Sequence, residues 1–162
     1  TNTAVGAIPR LIDMGVDPFL IAPTLVAVIG QRLVRKLCED GGKAFPITDS
    51  IKILLEREFA DLPEKYRHSL PPFKNFYHST PTAKCPDGTS GRTGVFEVLH
   101  MNKMIEEVVL KNPTAESIYT AARASGMLTM RESAIVKALA GEIPFEEVNT
   151  LGGELFPEED TA

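Results

Sequence analysis

The spacing of apolar positions changes partway through the first forty residues. Over residues 3–15, TAVGAIPRLIDMG, Val5, Ile8, Leu11 and Ile12 recur at three- and four-residue intervals. That is the repeat of one helix face, and Gly15 is placed to end it. Pro9 moves the helix start toward itself, because proline is tolerated mainly in a first helical turn. Asp17-Pro18 supplies an N-cap and an N1 proline for a short second helix. Pro23 is placed to restart helix, with Leu25, Val28 and Ile29 on its buried side. From Arg32 to Cys38 the period shortens to two: Leu33, Arg35 and Leu37 alternate with Arg32, Val34 and Lys36, which is strand behaviour.

Between Glu39 and Ser90 glycines and prolines punctuate the chain. Thr48 to Ser50 can cap an amphipathic helix whose apolar side is Ile51, Leu54, Leu55 and Phe59, and PPFKNFYHSTPTAKCPDGTSG after it is turn-rich and aromatic. A second strand, GRTGVFEVL, sets Val95, Glu97 and Leu99 on one face and Phe96 and Val98 on the other. Residues 39–90 therefore read as a small subdomain inserted between two strands. Helices follow. Asn102 starts one with Met104, Ile105, Val108 and Val109 as its apolar set. Thr114 caps another that stops at Gly126, and Thr129 with Glu132 forms a capping box for a third, ended by Gly141. Pro144 opens a last short helix through Val148. The acidic residues 152–162 read as a disordered tail.

Composition fits a soluble globular chain: 162 residues, 43% hydrophobic and 24% charged. At this length a core can form without metal or disulfide support. The net charge of −5 argues against broad binding to nucleic acid or to an anionic membrane. The longest apolar run, residues 19–30, contains Pro23 and is too short to span a bilayer. No signal-peptide pattern opens the chain. Two cysteines do not make a disulfide framework in a chain this long, so a reducing cytoplasm is expected. Because residue 1 is threonine and helical pattern starts almost at once, the chain reads as part of something longer.

Candidate chemistry is sparse. Cys38 and Cys85 each stand three residues before a glycine, Gly41 and Gly88. Each looks like one half of a C-x-x-C zinc knuckle, and His68 and His78 lie in the same segment as conceivable further ligands. Their spacing does not follow the usual histidine pattern, and free cysteine is among the most buried residue types, which favours two buried, metal-free thiols. GTSGRTG, residues 88–94, leads into a strand and not a helix, so it reads as a turn and not a phosphate loop. Arg10, Arg32, Arg35 and Arg92 read as surface cations, although arginine is also the side chain best suited to reach phosphate. No Ser/His/Asp or Cys/His set can be assembled.

Several stretches taken in order resemble a known family. TNTAVGAIPRLIDMGVDPFLIAPTLVAVIGQRLVRKLC is similar to the segment after the nucleotide site in the type II secretion and type IV pilus assembly ATPases. Thr1-Asn2 stands where that family's histidine box ends. GRTGVFEVL resembles the family's strand after its insert, and ASGMLTMRESAIVKALAGEIPFEEV resembles its closing helices. The resemblance implies an α/β parent of RecA-like P-loop NTPase fold, with residues 1–38 and 91–151 as the C-terminal part of the ATPase domain. This portion is expected to be mostly helical, with a few short strands and the insert at 39–90.

In the family the insert carries a tetracysteine zinc site. Here Cys38 and Cys85 match the first cysteine of each pair, and Gly41 and Gly88 occupy the second positions. The resemblance thus implies a degenerate site and no zinc. It also implies a hexameric, ATP- and Mg²⁺-dependent motor, cytoplasmic and held at the inner membrane through a platform protein. Its phosphate loop would lie upstream, so this portion alone would not hydrolyse ATP. Subunit packing would be its role, with Thr1, Asn2, Arg10 and Arg32 as nucleotide-proximal candidates and no catalytic residue. Two other readings stay open: a non-catalytic module docking a platform or regulatory protein, and a retraction or DNA-uptake branch, against which the insert argues.

Overall fold

A computed structural model describes residues 2–152. Thr1 and the tail from residue 153 onward, for which a nucleotide-proximal role and disorder were expected, lie outside the described residues. The chain begins with two short helices, α1 (Ala7–Asp13) and α2 (Pro18–Thr24). Pro9 falls in the first turn of α1, where its missing N–H costs nothing. Gly15 takes φ +90° just after it, a conformation glycine enters without steric cost. The Asp17 carboxylate accepts the Phe19 N–H at 2.9 Å and so caps α2.

Two long strands form the spine. β1 (Ala27–Leu37) and β4 (Thr89–His100) pair antiparallel from Ala27↔His100 through Leu37↔Thr89, with an irregularity between Arg35 and Leu37. This corrects two expectations. The strands are the longest elements rather than short ones, at 11 and 12 residues. Pro23 does not restart a helix: α2 ends at Thr24, the strand starts at Ala27, and Ile29 is 62% exposed. An apolar run such as Leu25 to Ile29 fits either period. Pairing with Val98 and Leu99, about seventy residues away in sequence, decides it as strand.

Between these strands lie β2 (Gly42–Pro46), α3 (Asp49–Glu58), α4 (Glu64–Arg67) and β3 (Asn75–Ser79), with β2 and β3 paired in a separate two-stranded sheet. Four helices close the chain: α5 (Lys103–Lys111), α6 (Ala115–Ala124), α7 (Met130–Leu139) and α8 (Glu146–Asn149). Asn102 and Thr114 cap α5 and α6 through the N–H groups of Ile105 and Ser117. Thr129 and Glu132 form the reciprocal capping box on α7. At α5 the buried side is Ile105 and Val109, whereas Met104 is exposed.

Two hydrophobic clusters pack along the ribbon, one toward each end. Leu99 joins Val5, Ile8, Ile21, Ile105, Val109 and Ile118 in the first. Val34 and Val95 join Ile51, Leu55, Phe59, Phe76, Ile135 and Phe145 in the second. The apolar side of α3 therefore packs in the same core as the ribbon and α7. Phe45, Phe76 and Phe145 interlock there, the Phe45 and Phe145 rings meeting edge to face at 5.1 Å.

Candidate functional site

Antiparallel register sorts the ribbon's side chains by face. Gly30 and Glu97 are opposite one another, as are Arg32 and Val95, and both pairs share the face that meets the N-terminal segment and α7. Glu97 is buried at 3% exposure, and its Oε1 accepts the backbone N–H groups of Ala4 at 2.7 Å and Val5 at 3.4 Å. It thus satisfies donors at the entrance to α1, which has no side-chain cap of its own. Gly30 permits the crossing. A Cβ there would lie 3.2 Å from Met130 Cε and 3.4 Å from the Ala4 nitrogen. Asn2, exposed, is therefore held two residues from a buried anchor, beside the face that carries Arg32.

Arg32 is exposed, and Arg10 is exposed in the last turn of α1. Neither makes an ion pair among the described residues. The structure places the two on separate elements. On the opposite ribbon face Arg35 and Arg92 are direct cross-strand partners. Two guanidinium groups at one register position repel, and no carboxylate among the described residues pairs with either. The Arg35 backbone N–H does find one, donating to Glu147 Oε2 at 3.0 Å. The ribbon's arginines, Arg32 on one face and Arg35 with Arg92 on the other, therefore have no ion-pair partner among the described residues.

The cysteine corner lies at the other end of the ribbon. Cys38 and Cys85 are half-buried and joined to each other as a disulfide, with Cα atoms 6.6 Å apart. This corrects the expectation of two buried free thiols: pairing of β1 with β4 brings together cysteines that sequence separation keeps apart. Gly41 and Gly88 are both buried. A Cβ at Gly41 would stand 2.9 Å from both Cys38 Cβ and the Gly88 oxygen, and one at Gly88 would stand 2.7 Å from the Thr80 nitrogen. The donor set and the space both fail to fit a four-sulfur zinc site. His68 is exposed at the end of α4, 3.7 Å from Glu64. His78 stacks on Phe45 at 4.1 Å and places Nδ1 2.9 Å from Glu146 Oε1. Among the described residues no cluster of three or more histidine, cysteine or acidic side chains is arranged to hold a metal.

One buried polar centre has no signal in the sequence. Arg123, 3% exposed at the end of α6, donates to both carboxylate oxygens of Glu132, to Asp61 Oδ1 at 2.8 Å and to the Met127 carbonyl at 2.7 Å. The Tyr119 hydroxyl adds a 2.6 Å bond to Asp61 Oδ2. Burial works against the Arg123 cation, but its bonds to Glu132 and Asp61 outweigh burial and raise its pKa further. Partial burial likewise pushes Asp61 up, and the Tyr119 and Arg123 bonds overcome it and hold the carboxyl below its ordinary value. Asp61 belongs to the segment after α3, so this network ties residues 39–90 to α6 and α7. Inside AARASG the arginine looks like any helix-end cation. By contrast Glu97 is signalled, as an acid standing in the buried phase of an alternating strand.

Comparison with known proteins places the chain in a family. The family model described as "Type II/IV secretion system protein" matches residues 1–150. Over 149 residues, 91% of this chain, it is 38% identical to the "Type II secretion system protein E" of Xanthomonas campestris, covering 25% of that protein. It is 34% identical to the "Type II secretion system ATPase E" of Vibrio cholerae over 91% of the chain and 27% of that protein. With the "Type IV pilus assembly ATPase PilB" of Pseudomonas aeruginosa the identity is 32%, over 92% of the chain and 25% of that protein. The chain thus spans about a quarter of the length of the curated relatives it matches. It belongs to the type II/IV secretion system protein family.

Proposed function

We propose that this chain is the C-terminal portion of an ATP-driven motor for type II secretion or type IV pilus assembly, with residues 39–90 as its insert. The observation that carries the reading is the ribbon with its unpaired arginines, Arg32 on one face and Arg35 opposite Arg92 on the other. Basic groups without internal partners suit a phosphate bound by other parts of the motor. Glu97 adds to this by pinning the backbone that follows Asn2.

In this reading ATP and Mg²⁺ are gripped by groups elsewhere in a longer polypeptide, and zinc has no place at the cysteine corner. The role of this portion is to pack subunits of a hexamer and to present Asn2, Arg10 and Arg32 toward nucleotide. The motor works in the cytoplasm against an inner-membrane platform protein. No helix among the described residues is long and apolar enough to cross a membrane.

A second reading is favoured by one observation. Phe19 and Leu20 of α2 point outward at 72% and 63% exposure, which suits a module that docks a platform or regulatory protein. The full-length protein separates the two. A phosphate loop and acidic box in the encoded upstream sequence, with ATP turnover lowered at least about tenfold by Arg32→Ala, supports the motor. Absence of that loop and box, or turnover unchanged by Arg32→Ala, Arg35→Ala and Arg92→Ala, overturns the nucleotide role.

A further inference from the structure

Cys38 directly follows β1 and Cys85 lies in the loop before β4, 47 positions apart in sequence. Each opens a tight turn: the Gly41 N–H donates to the Cys38 carbonyl, and the Gly88 N–H to the Cys85 carbonyl, both at 3.0 Å. Backbone hydrogen bonds hold the two turns, one running directly between them and one coming from Thr80 just after β3. The Cys38 N–H donates to the Gly88 carbonyl at 3.3 Å, and the Thr80 N–H to the Gly41 carbonyl at 2.7 Å. The sulfurs are therefore brought face to face by contacts that do not depend on a bond between them. The Cα separation of 6.6 Å lies within the range a disulfide bridges.

What this corner can do follows from what stands around it. Gly41 and Gly88 supply no side-chain ligand and leave no space for one; apart from the Thr89 carbonyl 3.5 Å from Cys85 Sγ, each sulfur has the other as its partner. An open cavity of about 410 Å³ adjoins the pair, lined by Lys36, Lys84, Glu39 and Asp40 together with both cysteines. That volume falls in the range of small-molecule sites, and a lining with two ammonium and two carboxylate groups suits a ligand that carries charges of both signs, as glutathione does.

We propose that Cys38 and Cys85 form a reversible dithiol–disulfide clasp at the base of residues 39–90, set by exchange with a small disulfide of the glutathione class. In the forward direction one cysteine thiolate attacks the small disulfide, forming a mixed disulfide and expelling one small thiolate. The second cysteine thiolate attacks that mixed disulfide at the protein sulfur and expels the other. Two protein thiols are oxidised to one disulfide, the small disulfide is reduced to two thiols, and the two protons go from the cysteines to the departing thiolates. A cross-link over so long a loop restricts the unfolded chain, so the oxidised state is the more stable one. In a reducing compartment such a pair acts as a switch and not as a permanent staple. The clasp is independent of which reading of the motor is correct.

The test equilibrates this chain in buffers of reduced and oxidised glutathione, traps thiols by alkylation and counts them by mass spectrometry. The expected result is a transition between two alkylated cysteines and none, without a lasting mixed disulfide. Melting temperature should rise by about 5–10 °C in the oxidised form. The double variant Cys38→Ser/Cys85→Ser should melt at one temperature in both buffers. Two alkylatable thiols persisting in oxidised glutathione would overturn the clasp. So would a stable glutathione adduct, a melting temperature indifferent to redox state, or one zinc per reduced chain by elemental analysis.

Discussion

The Glu97 carboxylate accepts the backbone N–H of Ala4 at 2.7 Å, bridging the middle of β4 and the entrance to α1. An acid at the buried phase of a strand would be costly if it satisfied nothing, and here it satisfies two donors. Glu97→Ala leaves both N–H groups buried without a partner. It should destabilise the chain by about 1–3 kcal/mol in urea unfolding, whereas Glu97→Gln, which keeps one acceptor, should lose less. Equal losses for the two variants would mean that the carboxylate's role is charge and not acceptance.

Arg123→Met should be among the most damaging single changes. It strands the Glu132 carboxylate, 1% exposed, with one charge and no counter-ion, at a cost of about 3–5 kcal/mol. Adding Glu132→Gln removes that charge and keeps a side chain suited to the capping box. The double variant should therefore be more stable than Arg123→Met alone by denaturant titration. If it is less stable, the buried pair is not the source of the loss.

The cross-strand Arg35–Arg92 pair predicts opposite effects on stability and on function. Arg92→Glu replaces repulsion with attraction at one register position, without adding a carboxylate at the position whose N–H bonds Glu147, and should stabilise the chain by about 0.2–1 kcal/mol. Under the proposed nucleotide role, the same change in the full-length protein should lower ATP turnover, because one of two unpaired guanidinium groups is lost. Stabilisation with turnover intact would leave the register correct and remove these arginines from the proposed nucleotide role.

Acid sensitivity has an identifiable source. The Lys137 ammonium, bonded to Glu142 Oε1 and Oε2 at 2.8 Å, and the Thr93 hydroxyl hold the Glu142 carboxyl below its ordinary value against partial burial. Asp61 is lowered as well. A depressed folded pKa adds stability that is fully present above the unfolded carboxylate value of about 4 and is lost as pH falls through the folded one. Stability should therefore decline below about pH 4, and Asp61→Asn/Glu142→Gln should flatten that decline. Both groups are partly exposed, so the effect should be modest and shrink in salt. An unchanged pH profile in the double variant would place acid sensitivity elsewhere.

Packing at Gly30 offers a steric check. Its missing Cβ keeps Met130 and the Ala4 backbone close to the ribbon. Gly30→Ala should be tolerated after a small shift of the flexible Met130 end. Gly30→Val should cost about 1–3 kcal/mol by thermal or urea unfolding, because it presses on backbone as well. Equal stability of the two would show that the N-terminal segment does not cross here.

Short-range physics makes much of this chain legible in its amino-acid order. Asp17, Asn102, Thr114 and the Thr129–Glu132 box cap helices where local chemistry places them, because a cap and the N–H it satisfies lie within three residues. The ordered motifs from TNTAVGAIPRLIDMG to GEIPFEEV point to the family whose model matches residues 1–150. The acid at position 97 is visible as an interruption of an apolar phase. Its two N–H partners are not.

What the tertiary structure alone decided involves partners far apart in sequence. Strand instead of helix at Ala27 depends on His100, Glu97's role depends on Ala4, and Arg123's burial depends on Asp61. Cys38 and Gly41 carry no mark of Cys85 and Gly88 until antiparallel pairing sets their two turns against each other. Local pattern encodes what a residue can do within one turn or one strand. Which of those capacities is used is settled by burial, because only folding determines which distant group must be satisfied out of water.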